Sequence, residues 1–405
     1  MKKLERQLDL LKIISQLDIP PSLYHNACQK YESIAKYLES HSLQAVIYPQ
    51  GSFALGTVTR PYSKDKERNY DLDFICQVTA SRDDITPSEL RNQIANILIS
   101  SDLYGGKLTE YEECFTIEYA DINDIGFSID IVPATNESDS QKAELYALTK
   151  QPWLIDTAIA IPRHSRMKVY NWITNNPKGY CKWFSDINAP FAAASATSYR
   201  ESLFKSHRDI YSSIEQIPSE LERTSMQRVI QILKYHRDVY FSNISGGEDL
   251  KPISAIINTV VAQIAKSANP YWSVFELLQY VVNELTIYAQ HQNLSLNDFT
   301  SKYGERSVFT RFNGIWKIEN PANPKDNLAD KWNENPEIPK RFFLWVAAVK
   351  DHLIDSLDLD DETFRSKAET AFGYNVISKA WNTKYNSMRP KPVSTSAPAR
   401  PWRTL

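Results

Sequence analysis

The spacing of hydrophobic residues changes along the chain and divides it into a helical start, a stretch of strands and a helical remainder. In residues 1–43, apolar residues recur at helical spacing until Pro20-Pro21 interrupts them, and a second helix should cover about 24–39. The residues that set the first spacing are Leu4, Leu8, Leu11 and Ile14. Both segments are therefore expected to be amphipathic helices packed on the body of the protein.

Between residues 44 and 135 the apolar period becomes two, which is typical of strands. A short strand over 45–48 is followed by a Pro-Gln-Gly-Ser turn. Three more segments alternate, at 70–78, 115–119 and 127–131. With a helix near 87–100, this region predicts a mixed sheet.

The remainder of the chain is mainly helical in pattern. Ser225 is expected to cap a helix over 226–241. That helix has a polar stripe at spacings of four, three and four, formed by Gln227, Gln231, Lys234 and Asp238. Further helices are predicted after Pro252 and over 273–290, 340–357 and 361–382.

Length and composition fit a soluble globular protein with room for two packed lobes. The 405 residues are 42% hydrophobic and 23% charged, and the net charge of −3 gives no support to a protein that coats duplex nucleic acid. No apolar run is long enough to span a membrane, and the start has no secretion signal. The four dispersed cysteines argue against a structural zinc site, so a cytoplasmic location is expected.

Two carboxylates leave the same face of one predicted strand. Asp71 and Asp73 alternate with apolar residues, and Asp130 repeats the arrangement on a later strand. Adjacent buried carboxylates are costly unless a cation lies between them. Three such oxygen ligands suit two Mg²⁺ ions, or Mn²⁺, which together can stabilise an in-line phosphoryl displacement. In this scheme Asp71 and Asp73 bridge both ions, and Asp130 binds the ion that activates the attacking hydroxyl.

Gly51 and Ser52 are the candidate phosphate-binding residues. A glycine permits close approach of the backbone to a phosphate, and backbone N–H groups with the Ser52 hydroxyl can bind a triphosphate. A lone Gly-Ser pair is more often an ordinary turn, and a lone Asp-x-Asp is more often a solvated sheet face. The order of strand, Gly-Ser, Asp-x-Asp and a later Asp favours the catalytic interpretation.

This order resembles the DNA polymerase β-type nucleotidyltransferases. The residues around these motifs are similar to those of the bacterial cGAS/DncV-like nucleotidyltransferases, also called CD-NTases or SMODS proteins. The segments that carry this second resemblance are 50–61 (QGSFALGTVTRP), 127–134 (FSIDIVPA), 176–184, 231–238 and 320–332. An insertion over 64–68 lengthens the spacing between Ser52 and Asp71 beyond that of the superfamily.

The resemblance implies an α+β, bilobal protein: a polymerase β-like sheet lobe and a helical lobe similar to oligoadenylate synthetase, with nucleotides between them. The expected organisation is 1–43 N-terminal helices, 44–200 catalytic lobe, 201–385 helical lobe and 386–405 flexible tail. It also implies synthesis of a cyclic or short linear oligonucleotide messenger from NTPs or dNTPs, with pyrophosphate released, in anti-phage defence. The product would act on an effector protein encoded nearby, by itself or through direct contact.

Three further site residues follow from the resemblance. Gln50 belongs to the phosphate-binding motif, Lys234 occupies the position from which the family's core helix supplies a cation, and Ser254 occupies that of a donor-binding serine. A surface lysine and a first-turn serine are the plain alternatives.

Several departures and alternatives accompany this reading. The zinc insertion of the animal DNA sensor is absent, which argues against activation by double-stranded DNA. The last five residues, PWRTL, do not resemble a conjugation tail, although tail hydroxyls could serve as acceptors.

Alternative functions are a template-independent polymerase, self-primed or otherwise, transfer of nucleotides to RNA or protein, and a non-enzymatic nucleotide sensor. Bases, linkage, trigger and oligomeric state are left open.

Overall fold

A computed structural model describes most of the chain. The described residues are 2–41, 43–62, 70–122, 125–165, 167, 169–195, 222–289, 308–382, 384, 385 and 388. The predicted insertion at 64–68, the hydroxyls of the tail and the expected flexibility of 386–405 fall wholly or almost wholly outside these residues.

Seven of the described strands form one mixed sheet. Their order is β1-β2-β5-β4-β3, and β6 pairs with both β5 and β7. The bounds are β1 Ala45–Pro49, β2 Tyr70–Ser81, β3 Leu108–Glu110, β4 Phe115–Ile122, β5 Ile125–Asn136, β6 Ile159–His164 and β7 Tyr170–Asn175. The central strands β2 and β5 are parallel, and their neighbours β1 and β4 are antiparallel to them. The mixed sheet confirms the α+β prediction, but strands β6 and β7 were not predicted.

Alternation along β2 and β5 separates an apolar face from a polar one. Leu72, Phe74, Ile129 and Ile131 are buried in a core that also contains residues of the N-terminal helix 21–40. Asp71, Asp73 and Asp130 therefore leave the opposite face, as the period of two predicts.

The helices before and within the sheet have sequence signals at their ends. Helix α1 is Lys2–Ile14, α2 is Pro21–Ser40, the short α3 is Gly51–Ala54, α4 is Pro87–Ile99, α5 is Asp139–Leu148 and α6 is Pro177–Ala194. Thr86 caps α4 in a capping box with Glu89. In α1 the predicted apolar stripe is shifted: Leu4 is exposed, whereas Arg6 and Leu10 are buried.

The described part of the chain after residue 221 is mostly helical. The helices are α7 Ser225–Ser242, α8 Gly247–Leu250, α9 Ser254–Ala265, α10 Val274–Ala289, α11 Asp330–Glu334, α12 Glu337–Val349, α13 Asp361–Phe372 and α14 Tyr374–Trp381. Two short strand pairs join them: β8 Thr310–Phe312 with β9 Ile315–Lys317, and β10 Glu319–Asn320 with β11 Asn323–Asn327. These short pairs have too few residues for a period of two to be read from the sequence.

Three predicted details of these helices are wrong. Thr224, not Ser225, caps α7, because its hydroxyl accepts the Gln227 amide in a capping box. The helix expected over 340–357 ends its regular turns at Val349 and continues as a wider turn over Lys350–Ile354. The helix expected over 361–382 is broken at Gly373, which has a φ of +81°.

Two large apolar cores lie on either side of the turn that follows β1. One is the sheet core already described, and the other contains the helices after residue 221 together with α1 and α6. The predicted domain bounds remain a prediction. In the structure, residues 2–14 and 177–194 pack against the helical part.

Candidate active site

The three candidate carboxylates lie on neighbouring parallel strands. Asp73 on β2 is directly opposite Asp130 on β5, and Asp71 is opposite Ser128. The register thus brings together residues that are almost 60 positions apart in sequence. Asp73 is half-buried and Asp71 is exposed, so the group opens toward solvent at one side.

Burial and neighbouring charge both act on Asp73. Burial, followed by the charges of Asp130 and Asp71, raises the pKa of Asp73 to about 7, while Lys234 opposes the change. Burial also raises the pKa of Asp130, against the effect of its hydrogen bond from Thr116. A carboxylate whose ionisation is this costly is suited to binding a cation.

Hydroxyl groups on neighbouring strands orient the other two carboxylates. Thr116 Oγ1 donates to Asp130 Oδ1 at 2.6 Å, and Ser128 Oγ donates to Asp71 Oδ1 at 2.7 Å. Neither hydroxyl was predicted from the sequence. Alternation alone places both on the carboxylate face, but their partners depend on a strand register that the sequence does not reveal.

The carboxylates and hydroxyls provide the oxygen donors that Mg²⁺ or Mn²⁺ prefers. Asp73, with its raised pKa, is the central donor of this set. In the described residues, however, no three His, Cys, Asp or Glu side chains already have the arrangement of a complete metal-ligand set. The donor chemistry fits divalent ions, and metal binding by the three aspartates remains a prediction.

The Gly51 turn lies directly against Asp73. The Gln50 amide donates to the Asp73 carbonyl at 2.8 Å, which extends the β1–β2 pairing into the turn. Gly51 has a φ of +60°, and a Cβ atom added there would lie 2.7 Å from Asp73 Oδ2. Both the left-handed backbone and the contact require glycine. The Ser52 carbonyl accepts the Thr57 amide at 2.9 Å and closes the turn.

Lys234 reaches this turn from the core helix α7. Its ammonium is buried and donates to the Thr57 carbonyl at 2.9 Å. Burial and the neighbouring Arg237 lower the pKa of Lys234 to about 7, against the opposing effects of Asp238 and Asp73. Lys234 is therefore not a surface lysine, and its role as a phosphate ligand remains a prediction.

Ser254 is the first residue of helix α9 and is far from the Gly51 turn in sequence. Its hydroxyl accepts a hydrogen bond from Arg237 Nη1 at 3.1 Å, and the same nitrogen donates to the Pro252 carbonyl at 3.0 Å. The structure thus gives Ser254 a partner on the core helix, three residues beyond Lys234. Nucleotide binding by Ser254 remains a prediction.

Two curated proteins and a solved structure are similar to most of this chain. A curated c-di-GMP synthase from Roseivirga ehrenbergii is 24% identical over 391 residues, covering 94% of this chain and 88% of its own length. The cyclic dinucleotide synthase CdnG of Bradyrhizobium diazoefficiens is 22% identical over 336 residues, covering 80% and 70%. The solved structure of that CD-NTase with GTP superposes with a TM-score of 0.64 at 19% identity, covering 93% of this chain and 98% of its own. No family model matches the chain.

The chain is similar in sequence to these two synthases and has the fold of a CD-NTase. This confirms the predicted resemblance and the predicted fold, and both curated relatives are named as cyclic dinucleotide synthases. No helix in the described part of the chain is both long and apolar enough to cross a membrane.

The remaining residues discussed from the sequence have structural partners. His236 accepts a hydrogen bond from Trp345 Nε1 at 3.1 Å and lies 3.0 Å from His352 Nδ1, so it is buried and packed as expected. Phe53 stacks on Tyr24 with ring centroids 5.3 Å apart, and the Tyr48 ring lies beneath Lys178 Nζ at 4.0 Å. Phe53 is thus part of the packing between α2 and the sheet.

Proposed function

We propose that this CD-NTase homologue is a metal-dependent nucleotidyltransferase that joins nucleoside triphosphates into a cyclic or short linear oligonucleotide. The observation that carries the proposal is the placement of Asp71, Asp73 and Asp130 on adjacent strands, with the backbone of Gly51 against Asp73. A protein that only binds nucleotides has no need for three adjacent carboxylates, whose repulsion is costly.

In the proposed reaction, an acceptor hydroxyl gives up its proton to solvent as its oxygen forms a bond to the α-phosphorus of a nucleoside triphosphate. The bond from that phosphorus to the bridging oxygen breaks, and pyrophosphate leaves with the electron pair. Divalent metal held by Asp71, Asp73 and Asp130 would supply charge neutralisation at the attacking and leaving oxygens. Thr116 and Ser128 orient Asp130 and Asp71 through their hydroxyl hydrogen bonds.

The turn beside the carboxylates would bind the triphosphate. Backbone N–H groups after Gly51, the Ser52 hydroxyl and Gln50 are the proposed contacts, and Lys234 and Ser254 are the proposed contacts from the helical part. Because Gly51 has no side chain, the turn can approach both Asp73 and a phosphate closely. The donor phosphates and the metal-binding carboxylates would then share one site.

The product class is proposed from the relatives. Both curated relatives are named as cyclic dinucleotide synthases, and one solved relative was determined with GTP. A cyclic dinucleotide containing guanine is therefore the first product to test. We further propose that the protein acts in the cytoplasm in anti-phage defence, and that its product activates an effector encoded nearby.

Mass spectrometry of the product tests this function. The protein is incubated with Mg²⁺ or Mn²⁺ and a mixture of all four rNTPs and dNTPs, and the soluble fraction is analysed before and after phosphatase treatment. A phosphatase-resistant mass equal to a small number of nucleoside monophosphates minus one water for each of them indicates a cyclic product. A ladder of long chains, or a mass shift on the protein or on added RNA, would instead select a polymerase or a transferase to macromolecules. No product with any nucleotide would contradict the proposal.

A further inference from the structure

Three carbonyl groups of the turn segment 50–58 accept hydrogen bonds from one face of α7. Gln227 Nε2 donates to the Leu55 carbonyl at 2.9 Å, and Lys234 Nζ donates to the Thr57 carbonyl at 2.9 Å. Between them, Gln231 Nε2 donates to the Val58 carbonyl at 2.5 Å. Spacings of four and three place these side chains on one side of a helix, so one helical face contacts almost the whole second half of the turn segment.

The approach of α7 to the turn depends on a second glycine. Gly56 has a φ of +65°, and a Cβ atom added there would lie 2.4 Å from Gln227 Nε2. The neighbouring Leu55 side chain is buried in the helical core and not in the sheet core. The segment is therefore built to pack against α7, since both its backbone and its apolar side chain meet the helical part.

A partly buried ionic network keeps Gln231 in place. Asp18, in the linker before α2, accepts from Arg228 Nη1 at 2.7 Å and from Gln231 Nε2 at 3.0 Å. Arg228 Nη1 also donates to Gln231 Oε1 at 3.0 Å, which leaves the amide nitrogen of Gln231 to face Val58. Gln231 is fully buried, so loss of its amide would leave the Val58 carbonyl without this donor away from water.

We propose that Gln227 and Gln231, with Lys234, are positioning residues that fix the peptide groups whose carbonyls belong to Leu55, Thr57 and Val58. The peptide plane held at Leu55 carries the N–H of Gly56, which donates to the Phe53 carbonyl at 3.2 Å, and the Thr57 amide donates to the Ser52 carbonyl at 2.9 Å. The contact with α7 therefore also restrains the first half of the turn. The segment is thus pre-organised, and its dipoles need no reorganisation when an anionic group binds. This inference rests on the proposed function for its link to phosphate, but the orientation of the segment can be measured without any nucleotide.

The test replaces glutamine by glutamate. Gln227→Glu keeps the size of the side chain and the oxygen that accepts the Thr224 amide, removes the N–H donor to Leu55 and adds one negative charge. Gln231→Glu removes the donor to Val58 and also the donor to Asp18, so Gln227→Glu is the cleaner variant. The matched control is Gln263→Glu on α9, a half-buried glutamine outside this contact.

Amide hydrogen exchange in the 52–58 segment is the deciding measurement, made on nucleotide-free protein. Each variant at 227 or 231 should raise exchange in this segment by about tenfold or more, while the control leaves it unchanged and exchange in β2 stays at the wild-type level in all. The KM for a nucleoside triphosphate should rise by about tenfold in the same variants. Should the Gln231 variant not fold, the more exposed Gln227 position gives the same comparison.

Unchanged exchange at 52–58 in a folded Gln227→Glu protein would overturn the inference. Failure of the proposed function is a separate result: wild-type protein would then show no product and no nucleotide-dependent protection at 50–58, whatever the variants do without nucleotide.

Discussion

Gly51 and Gly246 have nearly the same backbone conformation in very different surroundings. Their φ angles are +60° and +66°, but a Cβ atom at Gly51 would meet Asp73 at 2.7 Å, whereas one at Gly246 would meet nothing within 4 Å. Substitutions at these two glycines therefore distinguish the energetic cost of a left-handed backbone from the cost of displacing the Asp73 carboxylate.

The first prediction uses this pair. Gly51→Ala should reduce nucleotide transfer by about 100-fold or more, because the turn must move away from Asp73. Gly246→Ala should lower the free energy of unfolding by about 1 kcal/mol and leave transfer near the wild-type rate. Rates and urea unfolding of both variants check this. Equal activity in the two variants would show that the contact with Asp73 is unimportant.

The second prediction concerns the charge of Asp73. The pKa of Asp73 is raised from 3.8 to about 7 in the folded protein. The stability that the protonated carboxyl contributes is therefore fully present below the unfolded pKa and is lost as pH rises through about 7. Asp73→Asn should therefore be more stable than wild type by about 1–3 kcal/mol at pH 8 without divalent metal. The difference should shrink toward about zero near pH 4.

Urea unfolding in the presence of a chelator measures this difference at each pH. Asp83→Asn, an equal change of charge at an exposed turn, is the control, and its stability should stay close to that of the wild type at each pH. A wild-type protein as stable as the Asp73 variant at pH 8 would mean that neither burial nor the neighbouring carboxylates penalise the charged form of Asp73.

At the scale of elements, α7 is joined to the wider turn after α12 by a buried pair of histidines, His236 and His352. Trp345 donates to His236 Nδ1, so the hydrogen on His236 lies on Nε2 and is donated to His352 Nδ1. Burial, then the neighbouring His352, lowers the pKa of His236 well below its usual value, and burial also lowers the pKa of His352. Both shifts favour the neutral imidazole in the folded protein.

The third prediction follows from these lowered pKa values. Below about pH 6.5 the unfolded chain binds protons that the folded chain does not, so this pair contributes a loss of stability of about 1–2 kcal/mol per pH unit as pH falls. His352→Asn retains an acceptor for His236 and removes one titration. The decline between pH 6.5 and 5.5 should thus be shallower in the variant, and parallel curves would refute the assignment.

The sequence predicted elements better than their contacts. The period of two along β2 and β5 placed three aspartates on one face, and the polar stripe of α7 was visible at its spacings of four, three and four. A surface position was the plain alternative for Lys234, yet both Gln231 and Lys234 are buried against the turn. Which partner a polar residue meets depends on tertiary packing, and local periodicity does not contain that information. The same limit explains why Thr116 and Ser128 were missed.

At the scale of the molecule, the candidate site lies where the sheet core and the helical core meet. The carboxylates belong to strands of the first, and Leu55 with the donors of α7 belongs to the second. A ligand that binds both the carboxylates and the turn would therefore stabilise the contact between the two parts.

The fourth prediction is a linkage effect of this arrangement. Mg²⁺ together with a nucleoside triphosphate should raise the Tm of wild-type protein by several degrees, since a ligand that binds only the folded state adds about 2.7 kcal/mol at 100 times its Kd. Asp71→Asn combined with Asp73→Asn should lose most of this increase. Differential scanning fluorimetry measures it, and an equal increase in both proteins would place the metal elsewhere.

Pyrophosphate release tests the central claim most directly, because it reports nucleotidyl transfer whatever the product. Wild-type protein and the Asp83→Asn control should release pyrophosphate from nucleoside triphosphates with Mg²⁺ or Mn²⁺, in step with the disappearance of substrate. Asp71→Asn, Asp73→Asn and Asp130→Asn, each shown to be folded, should lower that rate by about 1,000-fold or more. Release by the three variants at the wild-type rate would contradict the assignment of this site.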